Sequence, residues 1–149
     1  MNILCSNKKA NFKYTLTKKI EAGVVLQGWE VKSLKSGHGQ ISESYITIRN
    51  QEAFLVNSHL KVLNTSNDNS KLNPTRERKV LLNKKQILTL SNEVKQNGLA
   101  IVLTKIYTKK SLIKLEIALG KGKKQQDKRA DIKKREWERQ KQRVLKKKN

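Results

Sequence analysis

The run Tyr45-Ile46-Thr47-Ile48-Arg49 alternates apolar and polar residues at period two, the β-prone run Ala53-Phe54-Leu55-Val56 follows it, and only Asn50-Gln51-Glu52 separates them. Successive side chains of a strand point to opposite faces, so each run has one face to bury, and the short polar gap makes the pair a hairpin. The pattern returns from Leu99 to Tyr107 and from Leu112 to Leu119, around the basic tip Thr108-Lys109-Lys110-Ser111. Strand-like stretches at Tyr14 to Ile20, Gly23 to Leu26 and, more weakly, Lys79 to Leu82 bring the expectation to about six short strands. A small closed antiparallel β-barrel is the simplest way to bury so many single faces, because closure leaves no strand edge exposed.

Two helices interrupt these strands. Asn83 can cap the second, with Gln86 at the third position, Ile87, Leu90 and Val94 at helical spacing and Gly98 where the chain must leave. The first is shorter, about Trp29 to Ser36, with Val31 and Leu34 inward and Gly37 after it. Between Asn64 and Asn73 the chain lacks apolar periodicity and is rich in turn formers, so it reads as an exposed loop that Pro74 closes.

The 149 residues fit one ordinary domain and an appendage. Lys and Arg total 34 against 12 acidic residues, a net charge of +22, which opposes compaction unless a polyanion shares it. Codon bias in an AT-rich genome is an alternative source of the excess of Lys over Arg, but not of the scarcity of acids. A membrane surface also attracts positive charge, but no window has the broad apolar face of an interfacial helix, and no run of about 18 apolar residues is long enough to span a bilayer. The N-terminus places small and apolar residues before basic ones, the reverse of a signal peptide, so the chain reads as cytoplasmic. With Cys5 the only cysteine and His38 and His59 the only histidines, disulfide frameworks and Cys/His zinc sites are excluded by count, and Cys5 reads as a mobile free thiol.

Charge divides the chain unevenly. Residues 1–120 carry 20 basic and 8 acidic side chains, whereas 121–149 carry 14 and 4 in far less length. The break, Gly120-Lys121-Gly122-Lys123-Lys124, comes directly after the last apolar run and is the expected end of the folded domain. Beyond it the residues are good helix formers, but Ala130, Trp137 and Val144 make only a thin apolar stripe. Ion pairs within a helix contribute about 0.2–0.5 kcal/mol each, against roughly 1–2 kcal/mol of backbone entropy per residue. The tail is therefore expected to be disordered until it binds.

Catalytic motifs are absent: no phosphate-cradling Gly-x-x-x-x-Gly-Lys-Ser/Thr loop, no nucleophile elbow and no His-Glu-x-x-His helix. His38, between two glycines, has no sequence partner and reads as a loop residue, and His59 as structural. The basic features are better placed. Alternation puts Arg76 and Arg78 on one face, either as an RNA contact or as a solvated strand edge, and Lys109, Lys110 and Lys114 add phosphate-seeking charge near the last hairpin.

Taken together these pieces become specific. Asn7-Lys8-Lys9-Ala10 with Tyr14, the long block Glu21 to Gly37 (EAGVVLQGWEVKSLKSG), Ser44-Tyr45, Glu52 to Leu55 (EAFL), Pro74 to Leu82 (PTRERKVLL) and Gly122 to Trp137 (GKKQQDKRADIKKREW) occur in an order that resembles small protein B, the SsrA-binding protein family of bacterial trans-translation. The resemblance covers nearly the whole chain. It implies an oligonucleotide-binding (OB)-type β-barrel with added helices and no cofactor, acting as a monomer in a one-to-one complex with transfer-messenger RNA (tmRNA). The same resemblance implies binding at the elbow of the tRNA-like domain, delivery with elongation factor Tu and GTP, and entry into ribosomes stalled on truncated messages.

The family's RNA-binding positions map onto Glu21, Leu81 and Lys114. Lys114 fits a phosphate contact, while Glu21, an acid facing a polyanion, makes sense as an acceptor from base or sugar donors, or as an anchor for nearby cations. Leu81 reads as core from its own run, whereas the resemblance turns it toward an unstacked base. In the tail, the resemblance implies a helix along the empty mRNA channel of the small subunit, beginning in the decoding centre. Lys123, Lys124, Lys128 and Arg129 would meet rRNA phosphates, Asp127 would hold Lys128 or Arg129, Ile132 and Lys133 continue the motif, and Trp137 would stack on a base or pack on ribosomal protein. Gln126 stands where the family often carries a His or aromatic residue, so hydrogen bonding would replace stacking there, and Asn73 stands for the usual Asp with the same turn-capping capacity. A permanently ribosome-associated protein and an RNA-modifying enzyme on the same barrel are the competing classes, the second without any acid/base pair to support it.

Overall fold

Both expected hairpins form, with turns tighter than their sequences suggest. In the computed structural model, which describes residues 2–63, 72–123 and 135–140, Arg49 pairs with Glu52 and Lys109 with Leu112, so only two residues reverse each chain. All four turn residues are left-handed: Asn50 and Gln51 have φ of 51° and 61°, and Lys110 and Ser111 of 49° and 65°. Such turns match the twist of the flanking strands, which is why hairpins use them even without Asn-Gly.

The elements run β1 (Asn2–Ser6), α1 (Ala10–Lys13), β2 (Tyr14–Val24), α2 (Gly28–Lys35), β3 (Gly39–Gln40), β4 (Tyr45–Arg49), β5 (Glu52–Val56), β6 (His59–Leu60), β7 (Arg78–Leu81), α3 (Lys84–Asn97), β8 (Ala100–Lys109) and β9 (Leu112–Gly122). The main sheet has the order β1-β8-β4-β5-β7-β2-β9, and β8 also pairs with β9. The six strands from β8 round to β9 therefore close into an antiparallel barrel, as the alternating runs require. β1 lies outside the ring, on the stretch of β8 from Lys105 to Thr108 that β4 leaves uncovered. β3 and β6 form a separate two-residue ladder.

Two irregularities let the long strands bend: the register of β2 shifts between Thr17 and Lys19, with Lys18 at φ 43°, and that of β8 between Leu103 and Lys105. The two runs expected as separate strands at Tyr14 and Gly23 are in fact one bent strand. Inside the ring, Ala53, Leu55, Leu103, Leu115 and Ile117 are fully buried, joined by Leu34 from α2 and Leu90 from α3. Each buried aliphatic side chain contributes about 1.5–3 kcal/mol, far more than any surface ion pair.

The α3 cap matches its sequence signature: Asn83 accepts from the Gln86 N–H at 2.8 Å, Gln86 returns the bond at 3.1 Å, and Gly98 takes the left-handed position after the helix. α2 departs from its apolar reading. Leu34 is buried and Val31 only half-buried, while Glu30 and Ser33 are wholly enclosed. Cys5 is a free thiol as read, but it is held in β1 opposite Ile106 instead of being mobile, and burial pushes its thiol up to about 11. The fold runs past Gly120, since Lys121 pairs with Thr15, Gly122 with Tyr14, and the Lys123 N–H donates to the Lys13 carbonyl at 3.0 Å. Residues 64–71 of the expected loop lie outside the described residues.

Candidate RNA-binding surface

Registers fix which side chains share the outer face of β7, β2, β9 and β8. Leu81 is opposite Gly23, Gly23 opposite Lys114, and Lys114 opposite Tyr107. Further along, Glu21 is opposite Glu116, and Glu116 opposite Lys105. Since Ala22, Val80, Leu115 and Ile106 face the core, the alternate residues face outward. Glu21, Leu81 and Lys114, from three strands, are thereby brought onto one surface.

Leu81 is 52% exposed, and the alternation of β7 puts Val80 in the core instead. It lies over Gly23, where an added Cβ would come within 3.3 Å of the Leu81 Cβ and Cδ1. A side chain at position 23 would displace it. The core reading of Leu81 from its own run is therefore corrected.

Beside it the Tyr107 hydroxyl donates to Glu21 Oε2, which also receives Lys109 Nζ at 3.4 Å. The Tyr107 hydrogen bond chiefly, with the Lys109 and Lys114 charges, holds the Glu21 carboxyl below its ordinary value, although partial desolvation opposes them. Burial and the neighbouring Glu21 push the Tyr107 hydroxyl up, so it remains a donor. The second acid, Glu116, accepts from Thr104 Oγ1 at 2.6 Å and lies 3.8 Å from Lys105 Nζ. Both carboxylates are thus held, while Lys109 and, at the turn, Lys110 reach solvent. Sequence reading missed Tyr107, although its alternation with Lys105 and Lys109 marks the three as sharing a face.

Arg76 and Arg78 do share a face, but it is turned to Glu30. Arg78 is 0% exposed. Its guanidinium bonds Glu30 Oε2, Ser58 Oγ at 2.8 Å and the Pro74 carbonyl at 3.1 Å. The expected RNA contact at Arg78 is corrected, because every arm of its fork is already taken inside the fold. Arg76 meets the same carboxylate, at 2.6 Å, from a half-buried position. Burial drives the Glu30 carboxyl up, but Arg76, the Gln27 N–H and Arg78 together outweigh it and hold the group below its ordinary value.

In the tail segment, Lys123 closes the barrel strand, and residues 135–140 are helical with Trp137 exposed. Lys124, Gln126, Asp127, Lys128, Arg129, Ile132 and Lys133 lie outside the described residues. Among the described residues no cluster of His, Cys, Asp or Glu is arranged to hold a metal ion, and no helix is long and apolar enough to cross a membrane.

Comparison with known proteins gives one answer. The profile of the family described as SmpB protein matches residues 4–147. The SsrA-binding protein of Pseudoalteromonas atlantica is 47% identical over 145 residues, 97% of this chain and 92% of that one. The SsrA-binding protein of Ruthia magnifica is 44% identical over 149 residues, covering 100% of this chain and 90% of its own. A solved structure described as "tmRNA-SmpB: a journey to the center of the bacterial ribosome" superposes with a TM-score of 0.66 at 32% identity, covering 81% of this chain and 85% of that one. With a family profile over nearly the whole chain, near full-length relatives and the fold in agreement, this chain belongs to the SmpB family of SsrA-binding proteins.

Proposed function

We propose that this protein binds SsrA RNA, the tmRNA of trans-translation, and brings it to ribosomes stalled on truncated messages, without making or breaking a covalent bond itself. The observation that carries the reading is the meeting of Glu21, Leu81 and Lys114 on one outer face, within a chain whose family match runs from residue 4 to 147. A phosphate-seeking ammonium, a held carboxylate acceptor and an exposed apolar side chain are the three chemistries needed to grip backbone, base edge and base face of a folded RNA. Lys109 and Lys110 extend the positive surface along the β8–β9 hairpin, and Arg76 acts indirectly, by fixing α2.

In this reading one protein binds one tmRNA at its tRNA-like elbow, and the RNA recruits elongation factor Tu with GTP. The tail, from Lys123 and Lys124 through Gln126, Asp127, Lys128, Arg129, Ile132, Lys133 and Trp137, enters the vacant mRNA channel and decoding centre. An occupied channel excludes it, which makes vacancy the signal.

The test is competition binding. Full-length protein is titrated with the tRNA-like part of SsrA RNA and with an unstructured RNA of equal length, over a salt series that separates counterion release from specific contact. Saturable, at least tenfold tighter binding to the folded RNA at each salt concentration is expected. Equal affinity for the two would overturn the proposal.

A further inference from the structure

We infer that Tyr107 is a positioning residue for RNA recognition, fixing the Glu21 carboxylate on the outer face as an acceptor for a neutral N–H or O–H donor of the RNA. The inference rests on the proposed RNA-binding reading of this face. Tyr107 is only 4% exposed yet is no part of the barrel core, because β8 alternation directs it outward with Lys105 and Lys109. Lys105 Nζ stands 5.7 Å from the ring centroid, and the hydroxyl reaches diagonally to Glu21 on β2. Both hydrogen bonds that Glu21 accepts fall on Oε2, so Oε1 accepts from none of the described residues.

The chemistry explains why a tyrosine is needed beside two lysines. Lys109 and Lys114 hold Glu21 in the free protein, but arriving phosphates compete for ammonium groups of this kind. A phosphate oxygen is only an acceptor, and it repels the carboxylate it approaches. A tyrosine hydroxyl is neutral, anchored by a buried ring, and kept protonated by that burial and by Glu21 itself. It keeps its bond to Glu21 when Lys109 turns to the RNA backbone. The acid then stays in place on a surface that otherwise drives it away, and its second oxygen can accept from a base edge or a ribose hydroxyl.

The charged groups facing Glu21 are Lys19 on its own strand, Lys105 and Lys109 on β8, and Lys114 and Glu116 on β9. Glu116 is the one other acid among them, and its own partners are Thr104 and Lys105.

The experiment compares full-length wild type, Y107F, E21Q and the double variant for binding to the tRNA-like part of SsrA RNA, as a function of pH and salt. Y107F keeps the ring and should leave the melting temperature nearly unchanged, while binding is about tenfold weaker, the loss expected for one hydrogen bond to a charged group. Its salt slope should match wild type, since no cation is removed. The acid pH at which binding falls should move up in Y107F toward the ordinary carboxyl range, and E21Q should lack that transition. In the E21Q background the tyrosine change should cost clearly less than in wild type, because the amide oxygen left there is a weaker, uncharged acceptor. RNA carrying 2′-deoxy substitutions separates the donors: a Y107F effect that disappears identifies a ribose hydroxyl, one that persists a base edge, and both support the inference. Additive losses, or an acid transition unmoved by Y107F, would overturn it. Failure of wild type to bind the RNA would instead remove the functional proposal beneath it.

Discussion

Two guanidinium groups converge on one carboxylate inside this fold, and the carboxylate is the more vulnerable partner. Glu30 sits at the third position of α2, accepts the Gln27 N–H at 2.7 Å and receives both Arg76 and Arg78. Removing it strands Arg78 in the interior with its charge unmatched, which costs about 3–5 kcal/mol where a buried pair is broken from one side. Glu30→Ala should therefore reduce the stability read by urea unfolding by that amount while leaving the β8–β9 surface chemically intact. The pH dependence has a definite sign. Because the folded protein holds Glu30 below its ordinary value, its contribution is full above the unfolded carboxyl range, near about 4.3, and is lost as pH falls through the folded value. Stability measured by urea titration across the acid range should decline less in Glu30→Gln than in wild type. In the sequence, the alternation of Arg76 and Arg78 shows that they share a face, but their partner lies far away on a helix whose pattern advertises only Val31 and Leu34. A buried ion network of this kind leaves no local periodicity, so from sequence the arginines resemble RNA ligands.

Elements are legible in proportion to their length and to the strength of their own pattern. The two hairpins, α3 with its Asn83–Gln86 capping box, and α2 can be read from period and caps. α1, β3 and β6 cannot, because such short segments have too few residues to show a period. β1, although as long as β4 and β5, runs Ile3, Leu4 and Cys5 together without alternation and owes its structure to the strand it meets elsewhere. Turn geometry is equally hidden, as neither Asn50-Gln51 nor Lys110-Ser111 carries the glycine that such turns favour. That departure has a measurable consequence at the β8–β9 tip. Ser111 holds a φ of 65°, so Ser111→Gly should relieve left-handed strain and raise stability by up to about 1 kcal/mol in thermal or urea unfolding. RNA affinity should stay unchanged. Lys110→Ala at the neighbouring position should leave stability near wild type, weaken binding and reduce the salt slope by about 1, the signature of one lost phosphate contact. A tip that acted only as a turn would show no change in slope.

At the scale of the whole molecule, charge and structure divide the chain at slightly different points, and the difference decides how the two halves must be separated. Charge places the break at Gly120, but β9 continues along β2 through Lys121 and Gly122, and the Lys123 N–H closes the ladder on Lys13. Gly120 itself lies against Tyr14, where an added Cβ would come within 2.9 Å of the Tyr14 Cβ, so this part of β9 is packed structure. A stop after Gly120 therefore removes barrel pairing as well as the tail, while a stop after Lys123 leaves the β2–β9 ladder whole and removes the tail alone. The two truncations should behave differently in three measurements: melting temperature, affinity for the tRNA-like part of SsrA RNA, and rescue of ribosomes on a truncated message in a reconstituted translation reaction. The chain ending at Lys123 should keep the wild-type melting temperature and most of the RNA affinity, because Glu21, Leu81, Lys109 and Lys114 all precede the cut, and should lose rescue. The chain ending at Gly120 should lose rescue too, with a lower melting temperature from the open end of β9. If the Lys123 truncation loses affinity as steeply as rescue, the basic tail is itself the principal RNA-binding arm and the outer face of the barrel a secondary contact.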